Sequence, residues 1–333
     1  MKPLPFRSFF LTTLLLLYIF LLNTFIQRKH PDTVTLAFLG DILIGRDVAR
    51  HHQNSDWSRT FLAISPTLQE ADIVLGNLES PICITDSCTQ KLNNLNRSAS
   101  LKNSLEINLC ASSAGIPMLK KAGIDFLSLV NNHASDCDVY ERVTNEERQK
   151  FLKQSKITPL EQDYQPIYII INDISFSFFA LDDVTNPISL EDICPQIILA
   201  DAKSDFIIVS IHWGHEYQAN PSNRQRNIAY KLAQSGADII WGHHPHVLQT
   251  TEWIYKNKKS PSFIAYSLGN ALFDQVAPAD THESALLLVT VDHDSIVNVD
   301  TVPFVIDPFS GSVSLASEKV SEKIINRLDL SEH

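Results

Sequence analysis

Three histidines fall within four positions at Gly242-His243-His244-Pro245-His246. Imidazole is a common ligand for divalent metals, and the H-x-H spacing of His244 and His246 lets both rings reach one ion from a short loop. The cluster follows Ala237-Asp238-Ile239-Ile240-Trp241, an apolar run that reads as a buried strand. Four other polar clusters stand in the same place relative to an apolar run. Asp41, with Arg46 close behind, follows Val34 to Leu39. Asn77 and Glu79 follow Ala71 to Leu75. Asn131, Asn132 and His133 follow Ile124 to Val130. His212, His215 and Glu216 follow the run that ends at Ile211. Ligands of α/β sheets gather at the carboxyl ends of strands, so these clusters describe one rim of Asp, Glu, Asn and His. That donor set suits one or two divalent ions of the manganese, zinc or iron type, and the lack of a thiolate set argues against a structural zinc. Such ions polarise a phosphoryl or acyl oxygen and activate water. A nearby histidine that is not a ligand can protonate a leaving group.

Each residue also has a plainer reading. Asp41 has the type and place of a helix cap, Asn77 and Asn132 of turn residues, and Glu79 of a solvated loop charge. His133 suits a helix N-terminus, and His212 a satisfied core histidine. Arg46 suits a surface ion pair as well as an anion beside a metal. His215 and Glu216 fit the substrate side better than the ligand set.

The elements that must position this rim alternate in type. Apolar runs at 34–39, 71–75, 124–130 and 205–211 read as strands, and the spacing at 59–70, 116–122, 139–154 and 225–234 reads as helical. Residues 84–108, rich in Asn, Ser and Thr, read as a long loop. Ile167–Ile171 and Ile174–Leu181 flank Asn172-Asp173, a hairpin signal. Strands dominate after Val247. Alternating β and α followed by a β-rich half predicts an α/β fold with two sheets face to face and helices outside.

Residues 8–27 carry no charge, follow Lys2 and Arg7, and are long enough to span a bilayer. No small-x-small cleavage site follows. The expectation is a cytoplasmic stretch at 1–7, a single-pass signal anchor at 8–27, a linker at 28–33, one domain at 34–310 and a C-terminal segment at 311–333. The domain would then lie outside the cytoplasm on the cell membrane. The chain has a formal net charge of −11, and the first 26 residues hold only basic charges, so the domain is more acidic still. That disfavours nucleic acid as a partner. An exported domain can form disulfides. Of the five cysteines, Cys83 with Cys88 is the best pair, Cys110 with Cys137 the next, and one stays unpaired.

The series G-D-I-L-I-G-R, G-N-L-E-S-P, V-N-N-H-A-S-D, I-H-W-G-H-E-Y, G-A-D-I-I-W-G-H-H-P-H-V and A-Y-S-L-G-N resembles the CapA family, the poly-γ-glutamate capsule synthesis proteins, over about residues 34–292. The resemblance implies a calcineurin-like metallophosphoesterase fold, a four-layer α/β/β/α sandwich. It also implies an anchored protein that serves an anionic envelope polymer such as polyglutamate, beside membrane polymer-synthase subunits. Carried over residue by residue, Asp41 resembles the first aspartate ligand and Glu79 a substitute for the second carboxylate. Asn132, His212, His244 and His246 resemble the remaining metal ligands, and His133 the proton donor. Arg46, Asn77, Asn131, His215, Glu216 and His243 then stand behind the ligands or face the substrate. Leu43 occupies the position of a family histidine, which removes one ligand. Asp136-Cys137-Asp138 and Ala271 also depart from the pattern. The reading is a metal-dependent hydrolase of a phosphoester or glutamyl amide. The alternative is a non-catalytic subunit that binds the polymer or a partner.

Overall fold

The computed structural model describes residues 33–52, 57–98, 108–161, 164–256 and 259–330. The expected anchor at 8–27 lies outside them. Among the described residues no helix is long and apolar enough to cross a membrane.

The strands, in chain order, are β1 (Val34–Ile42), β2 (Ile73–Leu78), β3 (Ile82–Cys83), β4 (Ala111–Ser112), β5 (Phe126–Ser128), β6 (Thr158–Leu160), β7 (Ile167–Ile171), β8 (Ile174–Asp182), β9 (Phe206–His212), β10 (Ile239–His243), β11 (Thr251–Lys256), β12 (Lys259–Ala265), β13 (Asn270–Leu272), β14 (Glu283–Val291), β15 (Ile296–Asp307) and β16 (Ser312–Leu315). The helices are α1 (Arg46–His52), α2 (Ser65–Glu70), α3 (Asp86–Ser98), α4 (Ile116–Ala122), α5 (Asn145–Gln154), α6 (Leu190–Asp201), α7 (Asn223–Ser235) and α8 (Glu318–Leu328). One eight-stranded sheet runs β16-β15-β14-β1-β2-β5-β6, with β13 alongside β1. A six-stranded sheet runs β11-β12-β10-β9-β8-β7, and β3 and β4 form a small third sheet.

β1, β2, β5 and β6 are parallel neighbours, as are β8, β9, β10 and β12. Parallel strands buried on both faces read as continuous apolar runs, and β1 and β9 do so. The two large sheets share an apolar interface. Phe38, Leu75 and Phe126 of the first pack with Phe176, Phe178, Trp241 and Phe263 of the second. Each such side chain contributes roughly 1.5–3 kcal/mol by leaving water. On the outer side of the first sheet, Leu39 and Leu43 meet Val48, Leu68, Leu119 and Leu152 from its helices. On the outer side of the second, Ile207, Val209 and Ile211 meet Ile193, Ile197, Ile228 and Leu232 of α6 and α7. The body is therefore a mixed α/β fold with helices outside two facing sheets.

Three local readings differ from the structure. Residues 86–98 form α3 within the stretch read as a loop. The helix read at 139–154 begins only at Asn145, where Thr144 and Glu147 form a capping box. The helical spacing at 59–70 resolves into a turn and α2, with Pro66 in its first turn. The segment after residue 310 joins the same body, since β16 pairs with β15 and Ile324 and Leu328 of α8 enter the intersheet core. The Asn172-Asp173 hairpin joins β7 to β8 as read.

Candidate metal centre

Register places the polar residues in two facing rows at the carboxyl ends of the strands. In the first sheet Asp41 lies opposite Asn77 on one side and Asn270 on the other. In the second, His212 lies between Asp182 and His243. Trp241 Nε1 donates to the Leu39 carbonyl across the intersheet gap, at 3.0 Å, and so pins the two rows together. Gly40 is required beside them. A Cβ there would collide with the Gly269 carbonyl, the same carbonyl that accepts from Asp41 N at 2.9 Å.

The structure brings Asp41, Glu79, Asn132, His212, His244 and His246 to one place. Asn77 Nδ2 donates to Asp41 Oδ1 at 2.7 Å, and His244 N donates to Asp41 Oδ2 at 3.2 Å. His246 Nδ1 stands 3.3 Å from Asp41 Oδ2, and its Nε2 stands 3.6 Å from Glu79 Oε1. His212 Nε2 is 3.8 Å from the same oxygen and 2.7 Å from Asn132 Oδ1. Ligand atoms of Glu79, His212 and His244 all lie within 4.8 Å of one another. His244 and His246 hold backbone φ of 100° and 59°, a left-handed conformation that non-glycine residues seldom adopt. Such strain concentrates at functional sites.

The residues around this group hold it in position. Asn131 Nδ2 donates to the Leu78 carbonyl at 3.0 Å, and Asn131 Oδ1 accepts from His133 N at 3.1 Å. His133 Nδ1 lies 2.9 Å from Asp136 Oδ2, an oxygen that also accepts from Leu109 N. The Cys110–Cys137 disulfide joins the chain beside both partners, Cys83 is bonded to Cys88, and Cys194 is free. His243 is fully buried, with its two ring nitrogens 2.8 Å from His212 Nδ1 and 2.8 Å from Ser210 Oγ.

Arg46 pairs with Asp274 at 3.1 Å. His215 and Glu216 are exposed, but a Glu216 oxygen comes within 4.8 Å of ligand atoms of His244 and His246. Leu43 points into the outer apolar core. Two residues escaped the site reading. Asn270 Oδ1 accepts from His246 Nδ1 at 2.9 Å, which turns Nε2 towards Glu79. Ser210 backs His243. Asn270 follows a short Leu-Gly turn and carried a signal as a strand-end polar residue. Ser210 sits inside an apolar strand and carried none.

The electrostatics of the group suit a cation. Both oxygens of Glu79 are buried without a hydrogen-bond partner, and so is His244 Nδ1. Burial holds the Glu79 carboxyl well above its ordinary range. Burial also acts to raise Asp41, but the His246 hydrogen bond and charge bring it net below the usual value. Burial and the surrounding imidazoles keep His212 well below the usual histidine value, and burial pushes His243 and His244 down to about 4. His246 runs the other way. Burial opposes its charge, but Glu79 and Asp41 push it up to about 10. Two buried carboxyl groups among four buried imidazoles, with both Glu79 oxygens and His244 Nδ1 unpartnered, make a donor set of the kind divalent metals take.

A family model described as "Bacterial capsule synthesis protein PGA_cap" matches residues 35–275. The chain is 30% identical over 301 residues to the capsule biosynthesis protein CapA of Bacillus anthracis, covering 84% of this chain and 69% of that one. It is 29% identical over 281 residues to the PGA biosynthesis protein CapA of Bacillus subtilis, covering 79% and 69%. Among solved structures, a hypothetical protein from Thermus thermophilus aligns with a TM-score of 0.49 at 11% identity, over 81% of this chain and 98% of that one. With most of its length matched by that model, and with capsule biosynthesis proteins as its relatives, the chain belongs to the bacterial capsule synthesis protein family PGA_cap.

Proposed function

We propose that this protein is a metal-dependent hydrolase of capsule-polymer synthesis, anchored by residues 8–27 with its domain outside the cytoplasm. The two-sheet body is read as a metallophosphoesterase-type sandwich, and the substrate as a phosphoester or glutamyl amide of an anionic envelope polymer. Membrane polymer-synthase subunits are the partners in this reading. The observation that carries it is Glu79, a fully buried carboxylate with no hydrogen-bond partner that faces His212 and His246. A buried carboxylate that accepts no hydrogen bond is costly, and a divalent cation of the manganese, zinc or iron type removes that cost.

Asp41, Glu79, Asn132, His212, His244 and His246 would hold one or two such ions. The bound metal would supply Lewis-acid polarisation and an activated water. Asn77 fixes the Asp41 carboxylate, and Asn270 and His243 fix the rings of His246 and His212. His133 donates its Nδ1 proton to Asp136, so Nε2 is the nitrogen that exchanges a proton with substrate. In its protonated form His133 is the acid for the leaving group.

The deciding measurement is metal content of the purified protein beside Asp41→Ala and His244→Ala. Near-stoichiometric metal in the parent, lost in both variants, is expected. A parent protein that neither holds nor takes up manganese, zinc or iron sinks the reading. One observation favours a second reading, a subunit that binds polymer without catalysis: Leu43 is packed in the outer core and takes a ligand position away. Complementation of a capsule-defective strain by His133→Ala separates the two, because a binding subunit tolerates that change and an enzyme does not.

A further inference from the structure

The loop after β9 lies against the histidine turn and is tied to it along its length. Trp213 N donates to the His243 carbonyl at 3.1 Å, and Tyr217 N donates to the Pro245 carbonyl at 2.8 Å. Gln249 Nε2 donates to the Gln218 carbonyl at 2.8 Å. Tyr217 makes its bond from a left-handed φ of 61°, a conformation that side chains disfavour. Glu216 stands between these ties. It is exposed, yet its backbone is fixed beside the metal group.

A chain of hydrogen bonds also reaches it from that group. His246 Nδ1 gives its proton to Asn270 Oδ1, so Asn270 Nδ2 is the donor to Gln275 Oε1, at 2.8 Å. Gln275 Nε2 is then the donor to Tyr217 Oη, at 3.1 Å. Tyr217 keeps its own proton to give, and Glu216 is the acceptor beside it. Burial, and behind it the charge and hydrogen bond of Glu216, push that hydroxyl up to about 12. The chain starts on a ring of the metal group and ends on a carboxylate with an oxygen within 4.8 Å of ligand atoms of both His244 and His246. Hydrogen bonds of this kind orient metal ligands, whereas a solvated surface carboxylate needs none.

The donor set has room for this carboxylate. Asp41 and Glu79, the fully buried carboxyls of the group, match the charge of one divalent ion. His244 Nδ1 is buried without a partner, and Leu43 lies in the outer core and offers no donor. Carboxylate and imidazole together suit manganese, zinc and iron.

We propose that Glu216 is a metal ligand, holding a divalent cation with His244 and His246 on the solvent side of the buried set, and that Tyr217 positions its carboxylate. The proposal rests on the metal reading above and moves Glu216 from the substrate side into the ligand set. Glu79, His212 and His244, the other close set of donors, are all buried. An exposed ligand leaves the outer position open to water and substrate, as catalytic metal sites are.

The test is titration of the metal-free full chain with manganese and with cobalt(II). Affinity is read by chelator competition, and ligation by the visible absorption of the cobalt form. Glu216→Gln should weaken binding of the outer ion at least about tenfold and change the cobalt absorption. Tyr217→Phe should act in the same direction by less. Glu216 is exposed, so its exchange does not disturb the core. Asp294→Asn, in the exposed turn between β14 and β15, removes one surface charge elsewhere and should change neither readout. An equal loss of affinity in Asp294→Asn, or parent-like affinity and absorption in Glu216→Gln, overturns the proposal. A parent that binds metal and is matched by Glu216→Gln takes Glu216 out of the ligand set and leaves the metal reading standing. A parent that takes up no metal sinks both.

Discussion

The parallel strands use carboxylates in opposite ways at their two ends. Where the strands begin, Asp72 accepts from Thr35 N at 2.8 Å, Asp125 from Val74 N at 3.2 Å, Asp205 from Ser175 N at 2.7 Å and Asp238 from Ile207 N at 2.8 Å. Each ties the start of one strand to the turn before its neighbour. Where the strands end, Asp41 and Glu79 are fully buried among imidazoles, and Glu79 accepts no hydrogen bond at all. Carboxylates of the first kind are partnered within the fold and stabilise it. Of the second kind, Asp41 is held by Asn77 and His244 N, whereas Glu79 receives no hydrogen bond from the fold. A protein that keeps such groups gives up stability for function, and the contrast between the two ends makes that loss measurable.

The sharpest break of the comparison is Glu79→Gln. Metal affinity should fall by more than the roughly 10–100-fold lost on removing a group that only supports a ligand. The metal-free variant should nevertheless be more stable than the metal-free parent by about 1–3 kcal/mol, because a buried carboxyl that receives no hydrogen bond and is costly to ionise is gone. Denaturant unfolding in excess chelator measures the second effect, and chelator competition the first. A metal-free variant less stable than its parent would mean that Glu79 has a structural partner after all.

Next in size is His243→Leu. If His212 turns Nε2 to the ion, its Nδ1 proton is donated to His243 Nδ1, and His243 in turn donates from Nε2 to Ser210. Loss of that chain should weaken metal binding about 10–100-fold without abolishing it. Unchanged affinity would show that the orientation of His212 is set elsewhere.

Asp238→Ala probes the opposite end. It leaves Ile207 N without its acceptor and should cost about 1–3 kcal/mol, read as a lower unfolding midpoint, with metal content untouched. Loss of metal in this variant would mean that the two ends are coupled.

The same contrast explains what the sequence could disclose. Asp41, Glu79, Asn132, His212 and the Gly242–His246 turn were legible because each follows a run apolar enough to be a buried strand, and polar side chains there have few structural reasons to exist. The hairpin at Asn172-Asp173 and the cysteine pairs were legible because both depend on residues near one another in the chain or on a small number of possible partners. α3 was not legible. Its Asn- and Ser-rich stretch has low helix propensity, and what holds it is tertiary, with Cys88 and Leu92 packed among the disulfides. The place of α8 was not legible either, because the short turn after β16 does not say which face of the sheet the helix takes, and Ile324 and Leu328 enter the intersheet core.

The smallest effect belongs to a carboxylate of the first kind in the turn between β14 and β15. Asp292 Oδ1 accepts from Asp294 N at 2.9 Å and from Ser295 N at 2.8 Å, and these backbone hydrogen bonds hold its carboxyl below the usual range. A carboxyl lowered in the folded state stabilises the protein above its unfolded value of about 4, and that contribution fades as pH falls through the lower folded value. Asp292→Ala should therefore lower the melting temperature slightly at pH 7, and the gap to the parent should narrow as the solution is acidified below pH ~4. Glu79 gives the opposite sign. Its carboxyl is raised in the folded state, so the metal-free parent gains on Glu79→Gln as acid protonates it. Parallel melting series of the two variants, both in chelator, would place the two kinds of carboxylate on one pH axis, and curves of the same sign would erase the distinction between the two ends.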